Sequence, residues 1–151
     1  QFFLASCAEE IAFGPKNRGT DLTVQEIDSF LDQVGLPPER FRDRDPLTLS
    51  MGEKRRLAFA VTLALEPRFV VYDEPTAALD TDGVALYSRL MHQKRHEGIG
   101  AIVITHEGAL VRELADRVLV LSESGRLTDL PAEKFFAEPD LRGLVAAGYD
   151  R

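Results

Sequence analysis

The chain has 151 residues, 44% of them hydrophobic and 28% charged, and its 25 acidic against 18 basic residues give a formal net charge of −7. This composition is that of one ordinary globular domain and excludes collagen, coiled coils and disordered chains. The acidic balance argues against binding to a nucleic-acid backbone, and without a long apolar run or a basic leader we expect neither a membrane span nor an export signal.

The first residues carry two further indications. Cys7 is the single cysteine, so no intramolecular disulfide can form, and a reducing, cytosolic setting is expected. Nothing nearby lowers the pKa of its thiol, so we expect a small buried hydrophobe rather than a nucleophile. The chain opens on Gln1 and continues directly into apolar and small residues, which leads us to expect a piece of a longer protein.

The first predicted helix covers residues 23–34. Its apolar residues recur at helical spacing, and Thr23 and Glu26 have the spacing of a capping box. Gly35 is placed to end the helix.

A second helix is predicted from Ser50 to the stop at Pro67, again with a capping box, formed here by Ser50 and Glu53. Between the two helices, residues 40–45 mix charges of both signs. We expect this stretch to be a solvated connector.

After Pro67 the pattern changes to alternating strands and helices. The prediction comprises strands at 69–72, 101–105, 118–121 and a short one at Leu127, with helices at 84–97, at 109–114 and from Leu130–Pro131. Because the apolar runs are continuous rather than alternating, we expect strands buried on both faces, as in the parallel sheet of an α/β protein.

Charged side chains follow two of these strands, and ligands of open α/β sheets bind at the carboxyl ends of strands. Of the adjacent Asp73 and Glu74, one carboxylate can face a hydrated Mg²⁺ and the other can orient a water. His106, after the next strand, can donate to a phosphate oxygen. Turn-forming acids and a surface histidine are the plainer explanation of each residue alone, and their shared position at one sheet edge favours a site.

The start of the helix at Ser50 is a third candidate. Its capping box needs no ligand, yet the first N–H groups of a helix form a ready anion site. Gly52 removes the side chain that would block a close approach to them.

Taken together, these stretches resemble the ATP-binding subunits of ABC transporters. The resemblance rests on Leu49-Ser50-Met51-Gly52-Glu53 (the signature L-S-G-G-Q), 69–74 (the Walker B strand), 78–80 (the D-loop) and His106 (the switch histidine). Residues 1–15 further resemble the energy-coupling-factor importers of metal ions and vitamins. The fold implied is α/β, the C-terminal part of a P-loop NTPase ABC-type domain, with a mainly parallel sheet core plus a helical subdomain.

The resemblance also implies roles in ATP hydrolysis with Mg²⁺. Asp73 would hold the metal through water, Glu74 would act as general base and His106 would contact the γ-phosphate. Asp80 would couple the two active sites of a dimer. The nucleotide bound by the opposite subunit would be capped by the signature residues Leu49, Ser50, Gly52 and Glu53.

The same resemblance implies partners and a division of the chain. A second nucleotide-binding subunit and a transmembrane transport component are expected, no nucleic acid, and a cytoplasmic, peripheral place at the inner face of the membrane. The expected parts are a helical subdomain (1–66), half of the ATPase core (67–130) and a helical tail (131–151). Residues 2–12 are the candidate docking surface, with core packing weighed equally.

Three departures from the family pattern bear on activity. Met51 and Glu53 replace a glycine and the glutamine of the signature, and Gln1 resembles a second glutamine just after the Q-loop. No G-x-x-x-x-G-K-[ST] loop occurs in these residues, so the chain by itself is expected neither to bind nor to hydrolyse ATP appreciably. Two alternatives remain open: an ABC ATPase of DNA repair or chromosome maintenance, and a degenerate subunit that binds ATP without turnover.

Overall fold

A computed structural model describes residues 2–77, 79–122 and 124–137. Along the chain these form α1 (Cys7–Asn17), α2 (Val24–Gln33), α3 (Pro38–Phe41), a 3₁₀ turn (Pro46–Thr48), α4 (Met51–Ala64), β1 (Phe69–Asp73), α5 (Thr81–His96), β2 (Gly100–Ile104), α6 (Gly108–Leu114), β3 (Arg117–Leu121), β4 (Leu127–Pro131) and α7 (Ala132–Ala137). Gln1, Ala78 and most of the predicted tail at 131–151 lie outside the described residues.

The chain folds into two compact units. The first extends to Val70 and takes in Thr76–Ala101, and the second consists of Val71–Pro75 and the chain from Ile102 onward. In the first unit α1 and α2 both pack on α4, around buried side chains that include Ile11, Leu31, Val34, Leu36 and Leu57. In the second unit α7 packs on the β3–β4 pair, and its buried side chains include Leu110 and Phe135.

The capping signals of the sequence are confirmed at two helices. In α2 the side chain of Thr23 accepts from the Glu26 N–H while the Glu26 carboxylate accepts from the Thr23 N–H, and α4 has the same arrangement at Ser50 and Glu53. Gly35, just after α2, has φ +68°, a left-handed conformation that glycine adopts without strain.

Two helices were absent from the sequence prediction. One is α1, which begins at Ser6, whose side chain accepts from the Glu9 N–H. The other is α3, and it overturns the expectation of a solvated connector at 40–45: Phe41 is buried, and Arg42 donates two bonds of 2.7 Å to the carboxylate of Asp28. A buried aromatic ring and a two-bond ion pair fix this stretch to α2.

The four strands form two pairs. At the start of β1 and β2 the Gly100 N–H donates to the Arg68 carbonyl at 3.1 Å, and at their ends the Glu74 N–H donates to the Ile104 carbonyl at 2.9 Å. The two strands are therefore parallel. β3 and β4 pair antiparallel, with Leu121 opposite Leu127. β4 is longer than predicted: it continues to Pro131, and α7 begins only at Ala132.

The expectation of strands buried on both faces is wrong for the residues described. Every strand has exposed positions, and along β1 and β3 they alternate with half-buried ones. Phe69 and Val71, on one face of β1, are each 57% exposed. The faces of a strand are covered by elements that pack against the sheet, so continuous apolar character along one strand does not by itself ensure cover on both faces.

Two other expectations concern the membrane and the cysteine. Among the helices described, none is both long and apolar enough to cross a bilayer. Cys7 is fully buried, as expected, and burial raises the pKa of its thiol to about 11.

Candidate functional site

The carboxyl ends of β1 and β2 bring two of the expected site residues into contact. Oε1 of Glu74 lies 2.8 Å from Nδ1 of His106, within the second compact unit. The Glu74 side chain is partly covered and the imidazole is largely exposed. The hydrogen bond from the Glu74 N–H to Ile104 fixes the backbone at this point, so the pair stands at the sheet edge that the sequence predicted.

The backbone of Glu74 is held in an uncommon conformation. Its φ is +44°, in the left-handed region that a side chain with a Cβ disfavours by about 1–2 kcal/mol. Strain of this kind persists only where the surrounding structure enforces it, and it concentrates at functional sites. In this conformation Oε1 of Glu74 reaches Nδ1 of His106.

The Glu74–His106 contact changes the proton affinity of the histidine. The hydrogen bond to Glu74, followed by attraction to the Glu74 carboxylate, raises the pKa of His106 above its ordinary value. The imidazole therefore carries its proton to a higher pH than a free histidine. The pair can hold and transfer one proton, which suits general acid–base chemistry at a phosphate.

Asp73 is the last residue of β1, and its side chain is exposed at the same sheet end. No cluster of three His, Cys, Asp or Glu side chains occurs in the parts of the chain described that could hold a metal ion by itself. Mg²⁺ in nucleotide sites is bound by one or two carboxylates together with waters and phosphates. A single exposed carboxylate oxygen donor at Asp73 fits that mode of binding.

The signature stretch lies in the first compact unit, at the start of α4. The Ser50 N–H donates to Oε2 of Glu53 at 2.7 Å, and the Glu53 N–H donates to Oγ of Ser50 at 3.3 Å. The first helical bond runs from the Lys54 N–H to the Ser50 carbonyl, so the N–H groups of Met51 and Gly52 precede it and are directed out of the helix end. This end of α4 can receive an anion.

The carboxylate of Glu53 is turned back into the cap. The backbone N–H of Ser50 is the main cause that lowers the pKa of Glu53, with smaller contributions from Arg44 and Arg56. Glu53 is therefore ionised, and its carboxylate accepts a hydrogen bond from the Ser50 N–H. Leu49, just before the cap, is buried and anchors it, while the Met51 side chain is exposed.

Asp80 has a structural role that the sequence analysis missed. It is the N-cap of α5, and its Oδ1 accepts from the Gly83 N–H at 2.8 Å. A Cβ on Gly83 would lie 2.9 Å from that oxygen, so a side chain there would require the capping carboxylate to shift. The sequence signal for this cap was an aspartate directly before a helical run, a position where aspartate is a preferred N-cap residue.

The candidate docking segment at 2–12 divides into buried and exposed parts. Ile11 and the carboxyl group of Glu10 are buried, and Oε1 of Glu10 accepts from the N–H groups of Phe3 and Leu4 at 2.5 and 2.7 Å. The Phe3 ring is 64% exposed and meets that of Phe13 edge-on, with 5.0 Å between centroids. Core packing and an exposed Phe3 thus occur in the same segment, and the partner ring of Phe13 lies just beyond its end.

The expected site residues fall into two groups. Asp73, Glu74 and His106 are together in the second unit, and the signature residues and Asp80 are in the first. Arg44, which sequence analysis placed in a solvated connector, also contacts the signature: its Nη1 lies 3.7 Å from Oε1 of Glu53.

Comparison with known proteins gives consistent likenesses. Residues 6–77 match the family described as ABC transporter. The chain is 41% identical over 146 residues to a Pyrococcus horikoshii protein whose name describes it as an ABC transporter ATP-binding protein, covering 94% of this chain and 54% of that one. It is 37% identical over 144 residues to the energy-coupling factor transporter ATP-binding protein EcfA of Methanoculleus marisnigri, covering 93% and 51%.

A solved structure agrees with these relatives. CbiO1 from Clostridium perfringens, described as part of the ABC transporter complex CbiONQ, superposes with a TM-score of 0.70 at 35% identity, covering 91% of this chain and 55% of that one. The chain spans about half the length of the curated relatives it matches.

Proposed function

Because this chain belongs to the ABC transporter ATP-binding proteins, of whose domain it forms the C-terminal part, we propose that it works in an ATP-hydrolysing subunit of an energy-coupling-factor type importer for metal ions or vitamins. The observation that carries the proposal is the 2.8 Å contact between Glu74 and His106 at the carboxyl end of the sheet. A carboxylate and an imidazole in this position suit the transfer of a phosphoryl group to water.

In this proposal Glu74 orients the attacking water and accepts its proton. Oε1 of Glu74 is hydrogen-bonded to the imidazole of His106. The carboxylate is thus held close to the ring that would donate to a γ-phosphate oxygen. The raised pKa of His106 favours the protonated ring, which donates to the phosphate and stabilises the charge that develops there.

Asp73 would hold Mg²⁺ through water at the end of β1. Bound there, Mg²⁺ neutralises phosphate charge. The exposed carboxylate of Asp73 is next to Glu74 in the chain, so both side chains lie at one end of the strand, and each can take a separate role.

The start of α4 would bind the γ-phosphate of ATP held by a second nucleotide-binding subunit. The outward N–H groups of Met51 and Gly52 and the positive end of the helix dipole favour an anion, and Ser50 holds the cap in place. Leu49 and Glu53 would support this end, and Asp80 would couple the two sites. ATP then favours the closed pair of subunits over the open one, which needs a difference of several kcal/mol in affinity between the two states.

The first part of the chain would pass this closure to a transmembrane component. We divide the chain for this purpose into a helical subdomain (1–66), half of the ATPase core (67–130) and a tail (131–151), with a peripheral place at the cytoplasmic face of the membrane. The exposed Phe3–Phe13 pair in α1 and the segment before it is the surface we assign to docking.

ATPase measurements on the complete subunit that contains this chain test the role of Glu74. Glu74→Gln is expected to lower kcat by about a hundredfold or more while ATP binding persists, because the amide keeps the shape and loses the base. Glu66→Gln is the matched control, since Glu66 is an exposed glutamate whose φ is also positive, at +45°. Equal rates for Glu74→Gln and the unsubstituted subunit would remove Glu74 from this role.

A further inference from the structure

Arg44 lies between the 3₁₀ turn and the cap of α4 and bonds to both. Its Nη2 donates to the Thr48 carbonyl at 3.1 Å and its Nε to Oγ1 of Thr48 at 3.2 Å. Its Nη1 lies 3.7 Å from Oε1 of Glu53, and its guanidinium carbon is 5.4 Å from the centroid of the Phe41 ring. The guanidinium group is thus held between the turn that leads into the signature and the first turn of the signature helix.

The backbone of Arg44 is anchored as well. Its carbonyl accepts from the Cys7 N–H at 3.0 Å and from Sγ of Cys7 at 3.3 Å, and the Arg42 carbonyl accepts from the Ala8 N–H at 3.0 Å. These carbonyls bond donors in the first turn of α1, which no intrahelical partner can satisfy. The side chain of Arg44 therefore extends from a fixed position.

Glu53 places a negative charge at the helix end that we propose binds a phosphate. A carboxylate in the first turn of a helix stabilises the helix, but it repels an anion that approaches the same end. Two cations lower the pKa of Glu53 after its Ser50 contact, Arg44 first and Arg56 second, and Arg44 lies within ion-pair distance of the Glu53 carboxylate. Arg44 beside it offsets part of the charge of the Glu53 carboxylate.

We propose that Arg44 is a positioning residue for nucleotide binding at the signature end of α4: it offsets the charge of the Glu53 carboxylate, and its bonds to Thr48 hold the guanidinium group in place for this. The proposal rests on the function proposed above for this helix end. Arg44 acts through Glu53, and its charge is needed because residue 53 carries a carboxylate.

A cycle of four proteins tests this dependence in the complete subunit, with KM for ATP and kcat measured separately. Arg44→Gln is expected to raise KM about two- to fivefold, the range of an exposed ion pair, with little change in kcat. In a Glu53→Gln background the same substitution is expected to change KM by less than about 1.5-fold, because the amide oxygen can still accept from Ser50 and there is no charge to compensate.

Two further variants separate charge from packing. Arg40→Gln is the matched control, because Arg40 also lies over the Phe41 ring, at 5.5 Å, and we expect its KM to stay unchanged. Arg44→Lys keeps the charge and is expected to retain most of the affinity for ATP.

The possible failures are distinguishable. A rise of KM that is equal with and without the Glu53→Gln substitution, or a KM for Arg44→Lys as high as that for Arg44→Gln, would overturn the role of Arg44 in an active subunit. An unsubstituted subunit that neither binds nor hydrolyses ATP would instead overturn the proposed function.

Discussion

Replacing Gly14 by alanine is expected to destabilise the first compact unit, although alanine is the better helix former. Gly14 lies inside α1, and a Cβ at this position would be 2.5 Å from Cδ2 and 3.2 Å from Cγ of Leu65, the residue that ends α4. Carbon atoms pack best about 3.5–4.0 Å apart, so the Leu65 side chain or the helix must move by about 1 Å.

Three contributions decide the size of the effect. Alanine gains about 1 kcal/mol over glycine in a helix interior. Gly14 precedes Pro15, whose ring disfavours the helical conformation of a residue with a Cβ, and this offsets much of the gain. The overlap with Leu65 then costs about 1–3 kcal/mol, as is typical of an overfilled contact. We expect the unfolding free energy to fall by this amount.

Urea unfolding followed by far-UV circular dichroism measures the loss, and Leu65→Ala isolates its cause. Where Leu65 is already alanine, the three atoms nearest the added methyl group are removed, and Gly14→Ala should change the unfolding free energy by less than about 0.5 kcal/mol. If Gly14→Ala costs the same in both backgrounds, the overlap argument is refuted and the backbone before Pro15 is responsible.

Three further predictions concern single groups. Glu74→Gln should lower the pKa of His106 toward its ordinary value, and NMR titration of the imidazole protons measures this; an unshifted pKa would contradict the contact. The contact stabilises the native protein below the ordinary histidine pKa, and this stabilisation is lost as the pH rises through the raised pKa of His106. Ser50→Ala should cost about 1 kcal/mol in urea unfolding through loss of the N-cap, and no cost would mean that the cap contributes nothing. Cys7 should react with a thiol reagent at pH 8 only as fast as the protein unfolds; rapid reaction of the native protein would contradict its burial.

Local signals account for the parts of the fold that were predicted correctly. The two capping boxes and Gly35 fix the ends of helices through contacts within four residues, so the sequence alone identifies them. The position of Glu74 and His106 at one sheet edge follows from the rule that parallel strands end together, and the contact between the two side chains agrees with it.

Features that depend on distant residues could not be read in the same way. The burial of Phe41 and the pairing of Arg42 with Asp28 arise from packing against α2, and a mixed run of charges gives no sign of either. The contact of Arg44 with Glu53 likewise spans nine positions and depends on the intervening 3₁₀ turn. Exposure of the strand faces is set by the elements that pack against them, which hydrophobicity along one strand does not reveal.

Glu66 and Glu74 share a backbone geometry that glycine adopts more easily, with φ of +45° and +44°. A laboratory selection for heat resistance alone would therefore accept glycine at either position. At Glu66 the exchange removes an exposed carboxylate, whereas at Glu74 it removes the carboxylate that contacts His106. Such a selection is expected to yield more heat-resistant variants at both positions. Those with glycine in place of Glu74 lose ATP turnover, and those with glycine in place of Glu66 keep it.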